Sequence, residues 1–273
     1  MKKKLNITKT IFVILIAIIH LFPIYITMVM SLKRKSDLSS NLLPPKQIYL
    51  GNFLLAIQKN VLLSIGRSLI VTFVVVSLVV LIGAMSAYPL ARNRTRFNKL
   101  ILNVILSVMM IPPLSMLVPL VTMLSGRNLF HIKGTNTYWA LILVVLSFQL
   151  PISIFMYTNF IKSIPRELDE AAEIDGCSRF RIFFTIILPM LKPVTSTVII
   201  LTGVFTWNDY QFSLYLWNKY KTVTTFVASY FSLSSYNVNS AAAAAIIVIV
   251  PIVILYVSLQ KYFIQSAVDS AVK

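Results

Sequence analysis

The chain has 273 residues, 58% hydrophobic and 12% charged, with 25 Lys and Arg against 8 Asp and Glu and a net charge of +17. A soluble globular domain carries roughly 45–50% apolar and about 25% charged residues, so that class is excluded. The single cysteine, Cys177, excludes an internal disulfide, and the basic excess lies in short blocks between apolar runs rather than in a nucleic-acid-binding patch.

Apolar runs of about 20 residues cross a bilayer core of roughly 30 Å. Six occur: Ile11–Ser31, Ser68–Leu90, Leu100–Leu124, Tyr138–Ile161, Val194–Trp217 and Ala241–Ile264. Lys2, Lys3 and Lys4 precede the first run, as in a signal peptide. That run is too long for an h-region and lacks a small-x-small cleavage site, so it reads as an uncleaved span. Its His20 reads as a packed helix residue, and His131, beside Lys133 in an outer loop, as a solvated one. Pro23, Pro112, Pro113, Pro119, Pro151 and Pro251 fall inside runs, which bundled membrane helices tolerate when neighbours satisfy the freed backbone groups. Ala241–Ala245 opens the sixth run and suits close helix packing.

An even number of spans puts both termini on one side. That side holds fifteen Lys and Arg, among them Arg92, Arg94, Arg96 and Lys99 between spans two and three, against ten opposite. The excess of basic residues in cytoplasmic loops then places both termini inside. The outer segment Leu32–Arg67 runs against this bias with Lys33, Arg34, Lys35, Lys46, Lys59 and Arg67. The resulting division is a cytoplasmic N-terminus (1–10), a six-span domain (11–264) containing a cytoplasmic loop at 162–193, and a cytoplasmic tail (265–273).

That loop gathers five of the eight acids: Glu167, Asp169, Glu170, Glu173 and Asp175. Pro165 suits a first helical turn, the acids after it favour the positive end of the helix dipole, and Gly176 is a natural stop. A helix of about three turns is expected between them. Ala171 and Ala172 are small enough to let another surface approach. A second short helix follows, with Phe180, Phe183, Phe184 and Ile187 at i, i+3, i+4, i+7, before Pro189 and Pro193 break the chain. A membrane protein that concentrates its acids in one short helix offers that helix to a partner.

Within the spans, Asp209 is the only acid, roughly 22 Å from Val194 at ~1.5 Å per residue. Two readings stand for it and its neighbours Trp207 and Asn208: lining of a solute path, or an interfacial position among Trp207, Tyr210, Tyr215 and Trp217. Gln149, two residues before Pro151, is the other polar candidate, with an interhelical hydrogen bond as the simpler role. The sequence has no G-x-x-x-x-G-K phosphate loop, H-E-x-x-H or G-x-S-x-G. Uphill movement of a solute would therefore take its energy from another subunit or an ion gradient.

The order Glu170-Ala171-Ala172, three residues, Gly176, nine residues, Ile186, one residue, Leu188-Pro189 resembles the EAA loop of ABC-importer permeases. Ile164-Pro165-Arg166-Glu167-Leu168 and Asp175-Gly176 are similar to the carbohydrate, maltose-transporter-like subgroup. Further matches in order are Phe22-Pro23-Ile24-Tyr25 with Ser31-Leu32-Lys33, Met110-Ile111-Pro112-Pro113 with Pro119-Leu120, Trp207-Asn208-Asp209-Tyr210, and the closing Gln260–Gln265 with Ala267 and Ala271-Val272-Lys273. Departures are Cys177, where the subgroup commonly has alanine, and a tail to Lys273 without the usual glycine.

The resemblance implies an all-α membrane protein with six transmembrane helices and a cytoplasmic coupling helix between spans four and five, the type I ABC importer permease fold. It implies ATPase-coupling roles for Glu170, Ala171, Ala172, Asp175, Gly176, Leu188 and Pro189, with Glu170 meeting a basic group. The partners it implies are a cytoplasmic ABC ATPase dimer, a second and different permease chain, an extracytoplasmic solute-binding protein and the lipid bilayer, with no nucleic acid. No cofactor is expected on this chain, ATP and Mg belonging to the ATPase, and the location is a bacterial cell membrane. The alternative, a self-sufficient ion-coupled carrier or channel, would carry internal repeats and charged groups near midplane.

Overall fold

A computed structural model describes residues 7–93, 95–126, 133–231 and 237–271, with side chains described from 9 to 260. Lys2, Lys3, Lys4, Arg94, His131, Val272 and Lys273 lie outside the described residues. In chain order the helices are α1 (Ile7–Ser31), α2 (Gly51–Gln58), α3 (Val61–Arg92), α4 (Arg96–Val108), α5 (Leu117–Leu124), α6 (Tyr138–Ser163), α7 (Glu167–Ile174), α8 (Arg179–Ile182), α9 (Leu188–Met190), α10 (Lys192–Trp207), α11 (Gln211–Leu216), α12 (Val223–Ala228) and α13 (Val238–Ala271). Extended backbone pairs at one place among the described residues, a bridge from Ser125 to Lys133.

Helices α1, α3, α6 and α13 each hold an apolar stretch long enough to cross a membrane. Two further spans result if each of two bent pairs counts once: Arg96–Val108 with Pro113–Leu124, bent by 87°, and Arg179–Met190 with Lys192–Trp207, bent by 75°. The third apolar run is therefore two helices rather than one. Pro113 holds Pro112 in extended backbone (φ −62°, ψ 127°), which closes off α4. The second bend falls at Leu191, between Pro189 and Pro193, where the sequence places a break. The fifth apolar helix stops at Trp207, and Gln211–Leu216 is a separate helical turn rather than its continuation to Trp217.

The chain divides into two compact units, one of residues 1–63 and 226–250, the other of 64–225 and 251–273. In the first, carbonyls at the C-terminal end of α1 lack helical partners and are met by side chains. Asn52 Nδ2 donates to Ser31 O (2.9 Å) and Lys33 O (2.7 Å), and Asn239 Nδ2 to Met30 O (3.0 Å) and Lys33 O (3.2 Å). Lys33 is fully buried, its ammonium donating to Ser39 O, Ser39 Oγ and Ser40 O at 3.3, 2.8 and 2.7 Å. Ala241–Ala244 are buried, as close packing requires. His20, expected to be packed, is exposed in this chain, where its Nδ1 bonds to Ile16 O one turn back.

The second unit holds the main apolar core, centred on α3, α6 and α10. Gly83, Ala84, Ala87 and Ala91 of α3 are buried in this core, and Gly83 faces α6. A Cβ on Gly83 would lie 2.5 Å from Ser153 Oγ. Tyr157 on α6 donates to Thr195 Oγ1 on α10 at 3.1 Å, and Phe148 stacks on Phe212 with ring centres 5.2 Å apart.

Candidate functional site

The acidic loop begins where α6 is stopped. Ile164 is extended (φ −78°, ψ 129°), as suits the residue before a proline, and Pro165 stands outside the next helix. Helix α7 runs only from Glu167 to Ile174, about two turns rather than the expected three. Glu167, Asp169 and Glu170 fill its first turn, where unpaired N–H groups favour negative charge. Its end is a complete Schellman motif. Gly176 adopts φ +78°, its N–H donates to Glu173 O (3.0 Å), and the Cys177 N–H donates to Ala172 O (2.9 Å). A Cβ on Gly176 would meet nothing within 4 Å, so the left-handed backbone, not space within this chain, calls for glycine.

The helix has two faces. Glu167, Glu170, Ala171 and Ile174 recur at i, i+3, i+4, i+7 and are exposed, Ile174 by 87%. Asp169 and Ala172 are buried against the rest of their unit. Ala172 therefore packs inward, which corrects its reading as a surface held open for a partner. Asp175 and Gly176 are exposed at the helix end, and an ion pair between Glu173 and Arg179 (3.7 Å) lies open to solvent.

The inward face carries a contact that the sequence reading missed. Asp169 Oδ2 lies 2.6 Å from Arg92 Nη2, and the Tyr88 hydroxyl, one turn earlier on α3, donates to Asp169 Oδ1 at 2.6 Å. The Arg92 guanidinium also donates to Ile161 O (3.2 Å), Ile164 O (2.9 Å) and Pro165 O (3.5 Å), capping the end of α6. Arg166 returns a bond to Arg92 O, the last carbonyl of α3, at 3.0 Å. The Arg92 and Asp169 side chains are 10% and 12% exposed. Removing one partner of a buried pair costs about 3–5 kcal/mol, because it strands the other charge. Counting Arg92 and Arg166 as loop charges hid the fact that each closes a helix end. A cavity of about 420 Å³ lies beside the cluster, bordered by Tyr88, Arg92, Glu170, Glu173, Phe180 and Phe183.

Beyond Ser178, α8 passes into a π turn, Phe183–Ile187, and then α9. The wider turn shifts the buried stripe. Ile182, Phe183, Ile187 and Leu191 are buried while Phe180 and Phe184 are exposed, correcting the stripe expected from a 3.6-residue period. Leu188 packs partly against the core, and Pro189 is exposed.

The candidate path residues are not gathered at one place. Gln149 is 7% exposed, and its amide has no hydrogen-bond partner among the described residues, so the expected interhelical bond is not made. It borders a cavity of about 330 Å³ with Met109, Ile111, Phe148, Leu201 and Phe205, where the third span is broken. Asp209 lies outside α10 and caps α11. Its carboxylate accepts from Phe212 N (3.2 Å), Ser213 N (2.8 Å) and Ser213 Oγ (2.7 Å). Asn208 is exposed and donates to Val204 O (2.9 Å). Trp207 and Trp217 are buried, and only Tyr210 and Tyr215 are exposed, so no four-ring belt forms.

The fold has counterparts among solved structures. A bacterial ABC transporter involved in import of the acidic polysaccharide alginate matches with TM-score 0.76 at 20% identity, covering 94% of this chain and 96% of that one. The MetNI methionine ABC transporter matches with TM-score 0.56 at 16% identity, covering 76% and 95%. In sequence, the melibiose/raffinose/stachyose import permease MelC of Bacillus subtilis is 39% identical, over 97% of this chain and 95% of its own length. AmyC of Thermoanaerobacterium thermosulfurigenes, a probable permease for starch degradation products, is 33% identical over 95% and 94%. MsmG of Streptococcus mutans, a multiple sugar-binding transport permease, is 31% identical over 94% and 93%. The family described as the inner membrane component of binding-protein-dependent transport systems matches residues 79–268. The chain belongs to that family: it is a multi-pass permease subunit of an ABC transporter, whose ATPase is a separate subunit.

Proposed function

We propose that the chain is one half of the solute path of an ATP-driven importer for sugars or oligosaccharides, and that α7 is its coupling helix. The substrates named for its relatives, from melibiose and raffinose to starch products, support the solute class. The observation that carries the coupling role is the division of α7 into an anchored face and an exposed stripe of Glu167, Glu170, Ala171 and Ile174. A helix laid in a groove is recognised through such a stripe. Glu170 meets a basic group of a cytoplasmic ATPase, Ala171 allows close approach, and Ile174 adds apolar contact. Asp175, Gly176, Leu188 and Pro189 shape the end of the loop.

The importer then comprises two ATPase subunits holding ATP and Mg, a second and different permease, and an extracytoplasmic binding protein, with both termini and α7 in the cytoplasm. The buried Gln149 amide at the broken third span is the path-lining group this reading favours. Asp209, Asn208 and Trp207 act in local structure instead. Gentle purification from the native membrane, with Glu170→Lys and Ala171→Trp variants, tests the coupling role. Both substitutions alter only the exposed stripe, so loss of a co-purifying P-loop ATPase is expected with the chain still folded. An ATPase retained at native stoichiometry by both variants would sink the assignment.

A further inference from the structure

Helix α7 is joined covalently to α6 through Ile164–Arg166 and to α8 through Asp175–Ser178. It has no such link to α3, whose last residue, Arg92, lies far upstream in the sequence. Displacement of α7 reaches α3 through side-chain contacts, and one arginine stands at their centre. The Arg92 guanidinium holds Asp169 of α7 at 2.6 Å and the Ile161 and Ile164 carbonyls at the end of α6 at 3.2 and 2.9 Å, so three elements meet at a single planar group. Tyr88 takes the second oxygen of Asp169, and its ring rests on Phe183 at 5.5 Å between centres. Arg166 completes the knot by donating to Arg92 O.

Asp169 is the one acid of α7 that turns inward, directly behind the exposed Glu170 and Ala171. With side chains only 10% and 12% exposed, the Arg92–Asp169 pair is little screened by solvent, and breaking it would strand a charge. A surface salt bridge would yield under load, since exposed pairs are weak. A buried fork fixed to two backbone carbonyls as well as to a carboxylate does not swing freely.

We infer that Tyr88, Arg92 and Asp169 form a transmission joint, which makes α3 move as one body with α7 when a partner displaces the helix. Each is a positioning residue that acts by passing movement from α7 to the second span. The joint presupposes that α7 docks to an ATPase, and the test separates the two.

The intact complex, purified with its ATPase in a Cys177→Ser background, would carry spin labels at Leu81→Cys on α3 and Glu173→Cys on α7. The inter-label distance is measured without nucleotide and after trapping with ATP and vanadate. With Arg92 present, the distance is expected to stay constant within about 2 Å, the scale of small packed-helix shifts. In Arg92→Gln it is expected to broaden or split on trapping while the ATPase stays bound, and Arg92→Lys, which keeps the charge without the fork, should fall between. Tyr88→Phe keeps the ring and deletes one bond, so it decides the matter if Arg92→Gln does not fold, and a broader distribution is expected. A change of about 5 Å with all three residues present, one helical turn, would show that the joint opens and would overturn the inference. An unchanged, narrow distribution in both Arg92→Gln and Tyr88→Phe would overturn it too. If Glu170→Lys retains the ATPase, the docking reading has failed rather than the joint.

Discussion

Replacing Gly176 by alanine and by asparagine sets two reasons for that glycine against each other. If glycine is needed for its backbone, alanine at φ +78° meets the left-handed penalty of about 1–2 kcal/mol, with no added steric cost because the new Cβ meets nothing within 4 Å. Asparagine enters the left-handed region more readily, so its cost is smaller despite its bulk. If glycine instead leaves room for a partner, the order reverses and asparagine is worse. A loss of about 1–2 kcal/mol corresponds to roughly 5–30-fold greater opening of the helix end. The Gly176 and Cys177 N–H groups, bonded to Glu173 O and Ala172 O, report that opening. Hydrogen exchange over residues 172–178 in the purified complex should therefore lose protection by that factor in Gly176→Ala and by less in Gly176→Asn. Equal protection in all three proteins, or faster exchange in the asparagine variant, would refute the backbone argument.

The other expectations come from single side chains. Gln149→Leu replaces an amide that borders the cavity at the broken third span and has no hydrogen-bond partner among the described residues. The variant complex should melt where the native one does while uptake of the sugar that the intact system carries falls, and unchanged uptake would count against the path-lining reading. Asp209→Ala should cost about 0.5–2 kcal/mol through loss of the α11 cap, whereas Asp209→Asn keeps one acceptor for the two Ser213 donors, loses the bond from Phe212 N, and should cost less while preserving uptake. Abolished uptake with unchanged stability in Asp209→Asn would return Asp209 to the solute path. Lys33→Met keeps the buried stem but leaves Ser39 and Ser40 oxygens without their donor, at a cost of about 1–3 kcal/mol read in the melting of the complex.

What the sequence disclosed and what it withheld divide along physical lines. Apolar runs locate α1, α3, α6 and α13 because length and hydropathy suffice for a span. They miss the break at Pro112-Pro113, since a proline in a membrane helix is tolerated or disruptive according to its neighbours. The bend at Leu191 was legible, because two prolines four residues apart flank it outside the apolar run. Gly176 was legible because a left-handed helix stop favours glycine whatever packs around it. Asp169 was not: five acids in one loop look alike until helical phase assigns one of them inward, and its partner Arg92 is remote in sequence. The shared face of Asp169 and Ala172, three residues apart, was the available signal. Asp209 was legible in principle as a helix cap before Gln211–Leu216, but counting it inside a span concealed that. The stripe after Ser178 was misphased because a π turn adds a residue that no apolar period announces.

The net charge of +17 looks like a surface property in composition, and the structure gives much of it local work. Of the six basic residues in Leu32–Arg67, Lys33 is buried among three oxygens. Arg34 lies 5.2 Å from the ring centre of Tyr49, Lys59 4.9 Å from Tyr230, and Arg67 5.1 Å from Tyr220. Each such cation–ring contact is worth about 0.5–1 kcal/mol or more when solvent is excluded, so these residues make local contacts that a count of loop charges ignores. Arg92 and Arg166 make equally local contacts, at the ends of α6 and α3. A bare count of fifteen against ten therefore mixes residues that steer insertion with residues that close helix ends. Under the proposed coupling role, direction follows instead from the exposed stripe of α7, which a basic groove would recognise, with the buried Arg92–Asp169 pair holding that stripe in place from behind.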